Sequence, residues 1–292
     1  MELWFWLAIV SAVMSGIGGF TSKIAAHKSL DSGLIVFYSA LSGVVLMVPV
    51  TLFIEGWGNL SWQLSLFVFS AGLLAAVAGL AKIRSMTYID TTIFYPLFKL
   101  FGPLVTIIFG VVLFSESFTT NEWLGLIMSL FIPLLLITKV EKTRQKNLVI
   151  GLWYMLLCAV ISALYAAALK FAVDSFQDVL WILTVSGVGV FTGGILQFLW
   201  KNRNTSLLEK IIENTSRYLL LISVLRGITL TLSSMLLLYA FFLGGPLGIV
   251  YTIQSLYILL PIILAIWFYN EHWNAQKVVA IIFSVLALGL MG

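Results

Sequence analysis

From Leu3 to Met291 the chain is a succession of apolar runs separated by short polar turns, most of them long enough, at roughly 20 residues, to cross hydrocarbon. Inside a bilayer only the chain itself can satisfy the backbone N–H and C=O groups, so such runs must be helices. With 61% hydrophobic residues, 10% charged residues and a mean hydropathy of +1.08, the sequence is far from the roughly 25% charged content of soluble domains. It is that of an integral membrane protein.

Apolar length predicts spans over Leu3–Ser22, Gly33–Ile54, Leu64–Ser85, Thr92–Phe114 and Trp123–Thr138. After the basic loop KVEKTRQKN, five more follow over Leu148–Leu169, Val179–Trp200, Tyr218–Phe242, Leu247–Tyr269 and Ala275–Met291. Glu2 stands where a cleaved signal peptide would carry basic residues, so the first span is expected to be retained. The loop KNRNTSLLEKIIENTSR is expected to form a short surface helix. Cys158 is the only cysteine, which leaves no disulfide framework and no CxxC metal site. The +4 formal charge resides in residues between apolar runs and builds no nucleic-acid surface. Walker A and HExxH patterns are lacking, which argues against ATP hydrolysis and zinc-peptidase chemistry.

The two halves repeat. Laying Glu116 on Glu271 aligns Lys99 with Gln254, Gly102 with Tyr257, Thr106 with Pro261 and Thr119 with Asn274. Laying Lys23 on Lys170 aligns Ser11, Ser15 and Gly19 with Cys158, Ser162 and Ala166. Each half holds an odd number of spans, so the second must be inverted relative to the first. The expected fold is an all-α membrane protein of ten transmembrane helices, built as inverted five-helix repeats over residues 1–146 and 147–292 around a central cavity, in one membrane domain. Secondary transporters of this architecture bind substrate where the repeats meet. Small residues at every fourth position also let helices approach closely in lipid. Ser15 and Ser162 are further candidates to line a pore.

The run SMTYIDTTIFYPLFKLFGPLVTIIFGVVLFSESFTTNEWLG and its counterpart LYAFFLGGPLGIVYTIQSLYILLPIILAIWFYNEHWNAQKV resemble the drug/metabolite transporter superfamily, in its ten-span EamA-type branch. In that family a turn of this type leads into a proline-bearing span that ends in a short glutamate-containing turn. The resemblance covers nearly the whole chain and implies a ten-helix basket that moves small metabolites, often outward. The function expected is a secondary transporter, an exporter, of a small polar metabolite such as an amino acid or organic acid, working by alternating access. It implies a multi-pass protein of the cell inner (plasma) membrane, without cofactor or nucleic-acid partner, in contact with substrate and membrane lipid. A coupling proton or ion, and the choice of monomer or homodimer, stay open. The alternatives are a flippase for a lipid-linked metabolite and, more remotely, an intramembrane enzyme.

Lys99 is the foremost site candidate, because a charge inside a bilayer is costly and seldom without a task. Eight residues beyond Thr91 place it roughly 12 Å into a layer of about 30 Å. Tyr95, Lys99, Gly102, Thr106 and Gly110 share one helical stripe, with Val250, Gln254, Tyr257, Pro261 and Ala265 as its repeat counterpart. If the stripes face each other, Lys99 meets an anionic group while Tyr95, Thr106, Gln254 and Tyr257 supply hydrogen bonds and an apolar wall. The alternative is a lysine that snorkels to the headgroups. No catalytic or metal-binding residue is expected.

The remaining polar residues have structural readings. Arg226 suits helix packing or a lipid headgroup. Glu116 and Glu271 suit the N-terminus of the helix that follows each, and Thr119 with Glu122 forms a capping-box pattern. His27 and His272 fall at span ends. Trp4, Trp6, Trp57, Trp62 and Trp273 suit interfacial belts, and Pro103, Pro133 and Pro261 suit kinks. Of the 16 lysines and arginines, Lys99 and Arg226 fall deep within spans, Lys82 and Arg84 stand in the last turns of the third, Lys170 lies on one side, and all the others lie on the opposite side. Basic short loops mark the cytoplasmic face, so both chain ends are expected outside the cytoplasm.

Overall fold

The computed structural model describes residues 2–28, 30, 32–56, 61–89, 91–136, 147–201, 216–269 and 275–292, and their regular structure is all helical. In chain order the helices are α1 (Leu3–His27), α2 (Ser32–Ile54), α3 (Trp62–Tyr88), α4 (Thr91–Phe114), α5 (Thr120–Leu135) and α6 (Leu148–Phe176). They continue as α7 (Val179–Lys201), α8 (Arg217–Phe242), α9 (Leu247–Ser255), α10 (Leu259–Tyr269) and α11 (Ala275–Met291). Among the described residues, 7 helices are long and apolar enough to cross a membrane, and Thr120–Leu135, Leu247–Pro261 and Ala275–Met291 are apolar but shorter. The expected surface helix between Lys201 and Arg217 lies outside the described residues. So do Trp57, Glu271, His272, Trp273 and the side chains of Lys23 and His27.

Three departures from the expected spans matter for the site. The third span does not stop at Ser85; α3 runs to Tyr88 and ends where Ile89 turns extended, at φ −126° and ψ 149°. Lys82 and Arg84, already inside the expected span, are helical and stand one to two turns before its end. The sixth reaches Phe176 and is closed by Gln177 in the left-handed conformation, φ 61°.

The ninth span, expected to be continuous from Leu247 to Tyr269, is broken into α9, a 3₁₀ turn over Leu256–Ile258, and α10. Pro261 has no N–H to give to the Tyr257 carbonyl, and its ring crowds that oxygen. The tightened turn just before it accommodates both. Pro96 and Pro103 leave α4 uninterrupted by comparison.

Helices of the first half pack mainly on those of the second. Followed from neighbour to neighbour, the contacts close a circuit: α1 on α8, α8 on α2, α2 on α7, α7 on α3, α3 on α6, α6 on α4, α4 on α9, and α9 with α10 back on α1. Beside α4, α5 packs against α11. Polar cross-links tie the circuit. Ser15 and Ser233 hydroxyls lie 2.7 Å apart, Ser11 Oγ donates to the Ser233 carbonyl at 2.8 Å, and Ser233 Oγ donates to the Ser11 carbonyl at 2.8 Å. Thr51 and Thr184 share a 2.7 Å bond, and Gln197 Nε2 donates to the Ala76 carbonyl at 2.6 Å. Helix contacts in lipid depend on such packing and bonding, since the tails are as apolar as the side chains. The small-residue face of α1 is thus a helix interface, as its spacing predicts.

The capping box at α5 is present: Thr119 Oγ1 accepts from Glu122 N–H, and Glu122 Oε2 accepts from Thr119 N–H at 2.6 Å. Trp6 and Trp62 are exposed on the bundle surface, whereas Trp4 is buried and its Nε1 donates to Glu2 at 2.6 Å. Trp4 therefore belongs to the packed end of the bundle, where a carboxylate within two residues satisfies its donor.

Candidate functional site

Lys99 does not snorkel. It is 8% exposed, and its Nζ lies 3.9 Å from the centroid of the Tyr257 ring and 5.7 Å from that of Phe98. A desolvated ammonium is attracted to an aromatic face by the ring quadrupole. Tyr257 presents that face from the 3₁₀ turn between α9 and α10.

Lys82 joins from α3, with its Nζ 4.9 Å from the Tyr95 ring centroid on α4. The two lysines lie within electrostatic range of each other, and both act on Tyr257 and Cys158. Arg226 on α8 donates from Nη1 to Ser39 Oγ on α2 at 2.6 Å and acts electrostatically on Tyr257 and Tyr95. At 1.5 Å per residue Lys82, Lys99 and Arg226 are roughly 9 to 14 Å inside the helix ends on the α3–α4 side. Three cations from three helices thus converge at one depth, around two tyrosines. Among the described residues, the groups found acting on Lys82 and Lys99 include no carboxylate. An ion pair lies elsewhere, between Lys170 and Asp174 at 3.2 Å.

The other candidates divide. Ser162 is hydrogen-bonded to Cys158, which places it on the α6 wall of the cluster. Ser15 is tied to Ser233, and Gln254 Nε2 reaches Ser11 Oγ at 3.5 Å. One turn beyond Ser15, a Cβ on Gly19 would lie 3.6 Å from the Tyr257 ring, so this serine chain leads up to the cluster. Thr106 does not join it. It is fully buried, roughly 10 Å farther along α4, and its hydroxyl donates to the Pro103 carbonyl at 2.8 Å and the Gly102 carbonyl at 3.2 Å. The two stripes do not meet residue for residue either, because the 3₁₀ turn brings Tyr257, not Gln254, against Lys99. Lys82 and Arg226 were not expected here. The available signal for Lys82 was the lack of any helix breaker between Trp62 and Ile89.

At the opposite end of the bundle, Ser115 takes a left-handed conformation at φ 54° and turns the chain back after α4. Glu116 then accepts hydrogen bonds from the backbone N–H groups of Leu247 and Gly248, the latter at 3.1 Å. The carboxylate caps α9 of the other half, not α5 as the order of elements suggests. Gly110 permits this, since a Cβ there would lie 2.2 Å from Glu116 Oε2. Burial pushes the Glu116 carboxyl above its ordinary value, opposed by the two backbone bonds and the charge of Lys170. Similarly, Glu55 after α2 accepts from the backbone of Leu180 and Trp181 at the start of α7. A cavity of about 590 Å³, lined by residues that include Glu2, Thr119, Asn121, Glu122 and Pro246, is at this end. It is not the expected central cavity beside Lys99.

No curated protein matches the chain significantly. A crystal structure described only as that of a protein shares the fold, with a TM-score of 0.71 at 15% sequence identity, over 97% of this chain and 95% of that one. The sequence model of the EamA-like transporter family matches residues 2–138, which include α1 to α5 with Lys82, Tyr95 and Lys99. The first half of this multi-pass membrane protein is thus similar in sequence to the EamA-like transporter family.

Proposed function

We propose that the protein is a secondary transporter that exports a small polar metabolite bearing an anionic group, such as an amino acid or organic acid. It binds its substrate at Lys99, Tyr95 and Tyr257, with Ser162, and the Ser15 and Gln254 chain alongside. The observation that carries this reading is the Lys99 ammonium, buried in the bundle with an aromatic ring and, among the described residues, no carboxylate acting on it. An unpaired charge in such a place is expensive. A substrate anion supplies the missing partner.

The two halves, residues 1–146 and 147–292, act as inverted repeats that rock about this site. The packing circuit supports the pairing, because exchanging α1 to α3 with α6 to α8, and α4 with α9 and α10, turns each of its contacts into another of them. The carboxylate caps of Glu116 and Glu55 tie helices of the two halves together at the far end. Export rests on the family likeness, and placement in the cell membrane with both ends outside rests on the basic-residue asymmetry.

The test is uptake into liposomes of a labelled panel of amino acids, organic acids and amines. Anionic or zwitterionic members should move, and Lys99→Gln should abolish their movement. Transport confined to cationic amines, or undiminished by Lys99→Gln, would sink the proposal.

A further inference from the structure

The site holds more positive charge than a single carboxylate needs. Lys82 and Lys99 come from different helices, each with its Nζ by a tyrosine face, at 4.9 and 3.9 Å from the ring centroids. They also share Tyr257 as a common electrostatic neighbour. Among the described residues, no carboxylate is found acting on either lysine. Two like charges held together in a bundle destabilise each other unless a counter-charge sits between them. One carboxylate balances one of them. A lone snorkelling lysine would have no reason to be paired with a second at the same depth.

We infer that the substrate carries a compact doubly negative group, a phosphate monoester, seated between Lys82 and Lys99 with Tyr95 and Tyr257 as its walls. This deepens the transport reading given above and rests on it. A tetrahedral phosphate offers three acceptor oxygens and close to two charges at neutral pH and above, which suits two ammonium groups arriving from different sides. The aromatic faces, with Phe98 5.7 Å from Lys99 Nζ, suit an apolar or ring-bearing body attached to it. The phosphate comes from either a free metabolite or a lipid headgroup.

The experiment compares two probes with the same ring and different charge, phenyl phosphate and benzoate, by equilibrium binding to the purified full-length protein in nanodiscs at pH 8. Phenyl phosphate is expected to bind about tenfold or more tighter, the value of one additional charged hydrogen-bond partner. Lys82→Gln should bring that ratio down to about one, while Lys99→Gln weakens both probes. Melting of each variant checks that it is folded, and the wild-type ratio needs no variant at all. Equal binding of the two probes, with both weakened by Lys99→Gln, overturns the dianion inference and leaves the anion site standing. Binding of neither probe overturns the inference, and the liposome panel then decides the transport reading separately. A ratio unchanged in Lys82→Gln also overturns it. In a parallel arm, nanodiscs carrying phosphatidic acid are compared with phosphatidylcholine alone. Displacement of phenyl phosphate by phosphatidic acid assigns the site to a lipid headgroup, and retention assigns it to a soluble phosphate ester.

Discussion

The Lys99 ammonium stands 3.9 Å over the ring of Tyr257, so a helix of the first half and the broken ninth span of the second meet through a cation and an aromatic face. Removing the charge and removing the face have different consequences. Lys99→Gln should weaken binding of an anionic ligand by about 1.5–3 kcal/mol, roughly tenfold to more than a hundredfold. Its melting temperature without ligand should hold or rise, because a buried charge is lost. Tyr257→Phe should keep the ring face but lose the hydrogen bond between the Lys99 ammonium and the Tyr257 hydroxyl, and Tyr257→Leu should lose the face as well, at about 0.5–2 kcal/mol. Undiminished binding together with lowered stability in Lys99→Gln would make the lysine a structural anchor.

Ser15 tests the interface of α1 with α8. Its hydroxyl is 2.7 Å from that of Ser233 and its side chain is buried. Ser15→Leu should overpack this contact and cost about 1–3 kcal/mol, read as a lower melting temperature in detergent. Unchanged melting would exclude the close approach.

Glu116 predicts a pH dependence with a definite sign. Burial holds its carboxyl above the ordinary 4.5, so the folded protein binds the proton more tightly than the unfolded chain. The stability associated with protonation is complete below pH 4.5 and is lost as pH rises through the raised value, by linkage. Melting temperature should therefore fall across this window in the wild type and stay flatter in Glu116→Gln. The same slope in both would show that another group titrates. Glu116→Ala leaves the Leu247 and Gly248 N–H groups without their acceptor, at about 1–3 kcal/mol.

Setting Lys82 and Arg84 aside as helical leaves the basic-residue asymmetry in place, and the orientation proposed from it puts Gly292 outside the cytoplasm. A cysteine added after Gly292 in a Cys158→Ser background should react with an impermeant maleimide in intact cells. Labelling only after lysis reverses the orientation.

The helical, membrane-embedded character of the chain was determined by sequence alone, because a bilayer allows long apolar runs few other solutions. The capping box at Thr119, the small-residue interface of α1 and the depth of Lys99 were legible for the same reason: each depends on spacing within one helix. Tertiary structure decided what spacing within a single helix does not contain. Where a helix meets its partner set the neighbours of Lys99, so Thr106 dropped away while Lys82 and Arg226 came in from α3 and α8. The 3₁₀ turn before Pro261 shifted the register of the ninth span and brought Tyr257, not Gln254, to the lysine. Glu116, next to α5 in the chain, found unsatisfied N–H groups on α9 instead, because Ser115 turns the backbone and Gly110 leaves room for the carboxylate to cross.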